Sequence, residues 1–216
     1  MTKIHNIFPT TIYEDTIPLN KNIKKQLIEK PFDNIYQNGK RNGYYSIDKY
    51  ILNDEKILPL TEKIIEHTRN YIYNVYKVRK EISFFITNSW IMKHGKNDAA
   101  DLHIHDNSLI SGIYYLQTPK NSGDLFFKRN NAINPIFSTT LPIDTETNMN
   151  TWRINVKEGL LILFPSSMKH CTECTSKNFE GERLAIVGDV TLVFKEDGTN
   201  DYSMGYINPK YWKMYR

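Results

Sequence analysis

Cysteine is nearly missing from this chain: of 216 residues only Cys171 and Cys174 carry a thiol, and they stand three apart. Two thiols that close cannot staple a domain, which excludes a disulfide-built secreted scaffold and fits a reducing compartment. Long apolar runs are missing too. No stretch approaches the roughly 20 residues that span a bilayer, and the start, Met1-Thr-Lys-Ile-His-Asn, lacks a signal-like hydrophobic region. The expectation is a soluble, cytoplasmic protein without a membrane partner. Charge of one sign is also scarce, since 28 Lys+Arg against 24 Asp+Glu leave only +4. The densest basic cluster, Lys21 to Lys30, reads as the solvated face of a helix, so nucleic acid is not indicated as a partner. Hydrophobic residues at 40%, charged residues at 24% and aromatics at 12% exclude wholesale disorder, collagen-like structure and coiled coil. At about 100–200 residues per domain, residues 1–216 are expected to form one domain.

The hydrophobic period divides the chain. Residues 7–19 alternate but are broken by prolines, as in an edge strand. Asn20 can cap a helix to about Lys30, which Pro31 ends. Residues 33–50 hold Asn38-Gly39 and Asn42-Gly43 and are expected to be turn-rich. From Pro59 to Val78 the apolar residues Leu60, Ile64, Ile65, Tyr71, Ile72 and Val75 recur at three and four, the mark of an amphipathic helix. After residue 81 the period becomes 2. Segments 82–93, 101–105, 109–117, 124–128, 151–156, 159–164, 168–174 and 183–194 are rich in aromatic and β-branched residues and are separated by Gly, Pro, Asn and Asp. Helices first and strands afterwards predict an α+β fold: helical support over 1–80, a β-sandwich of jelly-roll type over 81–195, and an aromatic segment, 196–216, packed back on it. Residues 129–150 read as a long surface loop, of the kind that is often functional.

Histidine is the scarce residue that matters. The chain has six, and His103 and His105 stand one residue apart in Ala100-Asp-Leu-His-Ile-His-Asp-Asn-Ser108. On an extended strand residues i and i+2 share a face, so two imidazoles can converge on one point. Imidazole is the commonest neutral ligand for Fe, Zn, Cu and Ni, and the best third donor is His170, about 65 residues further on. Two other constellations are weaker. Cys171-Thr-Glu-Cys174 lacks the second cysteine pair of a structural zinc site, and Ser166-Ser167 near His170 lacks the glycine-flanked elbow of a nucleophilic serine.

The ordered set Phe8-Pro9, Asn88-Ser-Trp90, His103-Ile-His105, Ser111-Gly-Ile-Tyr-Tyr-Leu116, Ser122-Gly123, Gly159 to Ser166, His170 and Arg183 resembles the 2-oxoglutarate/Fe(II)-dependent oxygenases of marine bacteria and phages, which are similar to prolyl-4-hydroxylases. The resemblance covers nearly the full length. It implies a double-stranded β-helix with N-terminal supporting helices, and a dioxygenase that hydroxylates its substrate while 2-oxoglutarate is decarboxylated to succinate. Fe(II) would be held by His103, His105 and His170. Arg183 would pair with the distal carboxylate of 2-oxoglutarate through a charge-assisted fork, and Tyr115 could donate to the same group. The co-substrates would be 2-oxoglutarate and O2, and the compartment the cytoplasm, that of the host if the chain is phage-encoded. Loop 129–150 and the Tyr44-Tyr45 region are expected to shape the substrate side.

One departure stands out. The usual triad is His-x-Asp/Glu with a distant His, whereas here the second position is His105. Three neutral ligands would leave the metal its full +2 charge and alter its redox behaviour. Asp101, in phase with the histidines, or Asp106, at the following turn, could restore a carboxylate; pairing His105 with Asn107 would leave a degenerate site. Two other functions stay open: a three-histidine dioxygenase of cupin type that does not use 2-oxoglutarate, and a non-catalytic β-sandwich that binds a partner or belongs to a virion.

Overall fold

The computed structural model describes residues 2, 3, 5, 9–37, 40–130, 148–176 and 178–194. Most of the long polar loop and the whole aromatic C-terminal segment lie outside these residues, as do Phe8 and the Asn38-Gly39 pair.

The capped helix forms as its sequence dictates. In α1, Lys21–Ile28, the Asn20 side chain accepts from the backbone N–H of Asn22 and Ile23, and Ile23 and Leu27 face inward. The longer amphipathic stretch begins with two 3-10 turns, Ile51–Asn53 and Glu55–Ile57. It continues as α2, Leu58–Asn70, with Pro59 in its first turn, and ends in a π-helical turn, Tyr71–Val75.

The first 80 residues also hold strands, contrary to the reading of that region as helical support. Besides β1, Tyr13–Thr16, the segment 33–50 contributes β2, Phe32–Gln37, and β3, Lys40–Ser46. The second Asn-Gly lies inside β3, where Gly43 at φ +128° brings the backbone against His94; a Cβ there would meet the imidazole at 2.7 Å. An Asn-Gly pair marks conformational freedom, and here the sheet uses it for close approach instead of reversal.

The remaining strands follow the period-2 segments: β4 Ile82–His94, β5 Ile110–Gln117, β6 Leu125–Lys128, β7 Thr151–Ile154, β8 Leu160–Pro165, β9 Lys169–Thr172 and β10 Arg183–Phe194. Among the described residues they form a seven-stranded sheet in the order β1-β8-β5-β10-β4-β3-β2 and a three-stranded sheet in the order β7-β6-β9. Residues 101–105 are the exception, because only His103 forms a bridge, with His170.

The large sheet has two apolar faces. Leu184, Ile186 and Val190 of β10, with Tyr114 and Leu116 of β5, pack against Leu27, Ile57, Leu60, Ile64 and Ile72 of the helices. Ala185 of β10, with Ile113 and Tyr115 of β5, faces the small sheet, where Leu125, Phe127 and Ile154 complete a second core. Ile57, Ile72, Leu27 and Leu125 are fully buried, each contributing roughly 1.5–3 kcal/mol. This is the sheet-rich α+β layout of the double-stranded β-helix. No described helix is long and apolar enough to cross a membrane.

Candidate metal centre

The two sides of the candidate site come from different parts of the chain. Residues 100–105 are clipped to the edge of the small sheet. The Ala100 N–H donates to Thr172 Oγ1, His103 and His170 exchange both backbone hydrogen bonds at 3.0 Å, and the His105 N–H donates to the Ser166 carbonyl. These clips replace the regular strand expected over 101–105 while keeping its consequence. The alternation survives, and both imidazoles turn towards His170.

One ring nitrogen from each of His103, His105 and His170 lies within 4.8 Å of the others. Every Nδ1 is already engaged: that of His103 with the Asp101 carbonyl at 2.7 Å, that of His170 with the Met168 carbonyl at 2.9 Å, and that of His105 with Asp189 Oδ1 at 2.5 Å. A carbonyl can only accept, so Nδ1 of His103 and of His170 carries the proton and Nε2 is left with a bare lone pair. Burial, followed by repulsion that a second proton would meet from His103, pushes His170 down to about 3, and burial lowers His103 as well. Neutral imidazoles with converging lone pairs are the donor set that a divalent transition metal takes.

Packing fixes the rings. Trp90 of β4 stacks on His105 at 5.8 Å between centroids, and Phe164 of β8 meets His170 edge-on at 4.8 Å. Neither carboxylate offered by the sequence joins the set. The Asp101 side chain accepts from Asn42 Nδ2, while Asp106 is exposed at the turn where Asn107 takes φ +59°. That turn carries Asn107 out of the strand phase that pairing with His105 requires. Among the described residues the convergent group is the three histidines. Cys171 alternates with His170 on β9, and both cysteines are free thiols. Ser166 is buried, but its hydroxyl bonds to those of Ser108 and Ser111.

Arg183 opens β10 on the same face of the sheet, opposite His94 of β4. It is 2% exposed. Its Nη1 donates to the carbonyls of Ser122 and Gly123 and its Nη2 to Nδ1 of His94. Burial and the guanidinium hold His94 down at about 3, so the acceptor is a neutral imidazole. Tyr115, 2% exposed and in register with Ala185, interacts electrostatically with Arg183, and burial pushes its phenol well above the usual range. Among the described residues no carboxylate forms an ion pair with this buried cation.

Two participants escaped sequence reasoning. Asp189 comes from the last third of the chain, and nothing in Val-Gly-Asp-Val-Thr marks it. His94, in Met-Lys-His-Gly, carries no motif either. Only the pairing of β10 with β4 and β5 brings them in.

Residues 88–189 match the family described as "Putative 2OG-Fe(II) oxygenase". The matched stretch holds all three histidines together with Tyr115, Arg183 and Asp189. No curated protein matches the sequence. Solved structures share the fold at low identity. A prolyl-4-hydroxylase from Pseudomonas putida superposes with a TM-score of 0.55 at 11% identity, covering 84% of this chain and 92% of that one. HygX from Streptomyces hygroscopicus, solved with nickel, 2-oxoglutarate and hygromycin B, has a TM-score of 0.55 at 12% identity over 84% of this chain and 82% of its own. The epimerase SnoN, in complex with Fe3+, alpha ketoglutarate and nogalamycin RO, has a TM-score of 0.53 at 9% identity over 92% and 89%. The three-histidine cluster is consistent with an iron site.

Proposed function

We propose that the chain is an Fe(II)- and 2-oxoglutarate-dependent dioxygenase that hydroxylates a C–H bond of its prime substrate, with O2 consumed and 2-oxoglutarate converted to succinate and CO2. The observation that carries this reading is the trio of imidazoles, each with Nδ1 occupied and Nε2 left free, together with a buried arginine that forms no ion pair with a carboxylate among the described residues.

Nε2 of His103, His105 and His170 would hold the metal. Fe(II), when bound, supplies open positions for 2-oxoglutarate and O2 and the redox chemistry that joins them. Arg183 would receive the distal carboxylate. An unpaired buried cation is costly, and a dicarboxylate that reaches it repays that cost. Tyr115 stands beside Arg183 as a second donor, in register with Ala185, the smallest side chain of that core cluster. Trp90 and Phe164 hold the ligand rings and keep water from their faces. Hydroxylation is the reaction proposed for this chain; the solved structures that share its fold include a prolyl-4-hydroxylase and an epimerase.

Succinate formation from 2-oxoglutarate with Fe(II), in wild type and in His103→Ala and His170→Ala, tests the reading. Turnover in wild type and its loss in both variants support it; unchanged turnover and metal content in both would sink the site assignment. The all-nitrogen donor set also suits a cupin-type dioxygenase that needs no 2-oxoglutarate. In that case Arg183 would be dispensable for turnover.

A further inference from the structure

Three neutral ligands leave a bound divalent ion uncompensated in a pocket walled by Phe127, Phe164 and Trp90. The missing negative charge lies one hydrogen bond further out. The Asp189 carboxylate is 9% exposed and meets Nδ1 of His105 at 2.5 Å, and its Oδ1 also accepts from the Ser111 hydroxyl at 3.1 Å. Ser111 in turn bonds to Ser166, which donates to Ser108, so the carboxylate is anchored from behind. On β10 the pairing with β4 shifts register between Asp189 and Val190, the kind of bulge that re-aims a side chain beside a site.

We infer that Asp189 is the charge-compensating and positioning residue of the metal centre, acting through His105 in place of the carboxylate that the chain lacks at the ligand position itself. This rests on the metal reading above. The geometry excludes Asp189 from the coordination sphere in this arrangement, because the two imidazole nitrogens point apart and the carboxylate sits on the Nδ1 side. A carboxylate there fixes the tautomer, orients the ring and makes Nε2 a stronger donor. The other two ligands are held by backbone carbonyls, which orient a ring but bring no net charge. Of the three, His105 is the ligand whose Nδ1 meets a carboxylate. Besides His105, the Ser111 hydroxyl donates to the carboxylate, and that bond brings no charge. Asn88 and Ser111 are its strand neighbours, and among the described residues its one ion-pair partner is His105.

The test uses the full chain freed of metal, titrated with Co(II) and followed by its d–d absorption, in wild type, Asp189→Asn, Ser111→Ala and His103→Ala. Asp189→Asn keeps the shape and removes the charge. It is expected to bind Co(II) about 10–100-fold more weakly with band intensity at saturation unchanged, and to give the iron-loaded protein a more positive midpoint potential. Ser111→Ala, which keeps the charge, should lose less. Equal affinity in wild type and Asp189→Asn overturns the inference. So does a folded Asp189→Asn that loses Co(II) as fully as His103→Ala, which would make Asp189 a ligand, or a Ser111→Ala that weakens binding as much as Asp189→Asn, which would make geometry and not charge the agent. A wild type that takes up no Co(II) removes the metal centre itself, a failure distinct from these.

Discussion

His103 and His170 form a single antiparallel bridge, each donating its backbone N–H to the other's carbonyl at 3.0 Å. Residues directly opposite in an antiparallel pair project to the same side, so this one bridge sets two imidazoles side by side, with ring centroids 4.3 Å apart and planes tilted by 49°. His105 joins them two residues along the clipped segment, its N–H held by the Ser166 carbonyl at 3.1 Å. The site is therefore anchored by backbone hydrogen bonds, and its side chains can be altered without dismantling the sheet.

From this follows the behaviour of the ligand variants. His103→Ala, at the more open position, should fold with a melting temperature close to wild type in the absence of metal while losing metal uptake. His170→Ala removes a buried ring packed against Phe164 and should lose metal and also stability, by about 2–4 kcal/mol. Metal content and urea denaturation of the two proteins check the pair of outcomes; a His103→Ala that binds metal normally removes that residue from the ligand set.

Asp101→Asn and Asp106→Asn should leave metal affinity unchanged within error, since Asp101 is bonded to Asn42 and Asp106 is exposed at a turn. Calorimetric titration with Ni(II) decides this. A tenfold loss in either would return a carboxylate to the coordination sphere.

Arg183→Met should abolish stabilisation by 2-oxoglutarate and cost the ligand-free fold about 1–3 kcal/mol, because the carbonyls of Ser122 and Gly123 and Nδ1 of His94 lose their donor. In wild type with metal, 2-oxoglutarate at 100 times its Kd should add about 2.7 kcal/mol. Arg183→Lys should keep part of that, its point charge lacking the planar fork. A wild-type-like thermal shift in Arg183→Met would move the dicarboxylate elsewhere.

The metal-free protein should lose stability in acid through His94 and His170. Both have folded pKa values of about 3 against 6.5 for an ordinary histidine, so below 6.5 the unfolded chain binds more protons than the native one. Stability is then level above about pH 6.5 and falls between 6.5 and 3, by about 1.4 kcal/mol per pH unit for each histidine. Urea midpoints at pH 7, 6 and 5 measure the slope, and His94→Gln should roughly halve it; a flat profile down to pH 5 contradicts the burial of both rings as neutral groups.

Gly123→Ala should destabilise by about 1–3 kcal/mol, because φ is +79° and the new Cβ would stand 2.5 Å from the Glu173 carbonyl. The same change shifts a carbonyl that holds Arg183, so the response to 2-oxoglutarate should weaken along with the melting temperature. Stability and ligand response that both match wild type would show that this turn relaxes freely.

Much of this was legible in residue order. Asn20 and Pro31 bound a helix that forms between them, and apart from 101–105 the period-2 segments after residue 81 became strands almost at their expected limits, because alternation of apolar and polar residues is a local property. His103 and His105 declared themselves by spacing for the same reason, and His170 by scarcity. The tertiary structure decided what depends on pairing between distant strands. The strand character of 32–37 and 40–46 comes from the sheet edge they join, which takes Asn42-Gly43 into a strand. The exclusion of Asp101 and Asp106 from the histidine set, the docking of Arg183 on His94, and the carboxylate of Asp189 behind His105 arise from the register of β10 against β4 and β5. Residues nearly a hundred positions apart become neighbours there, and no local pattern encodes which of them will meet.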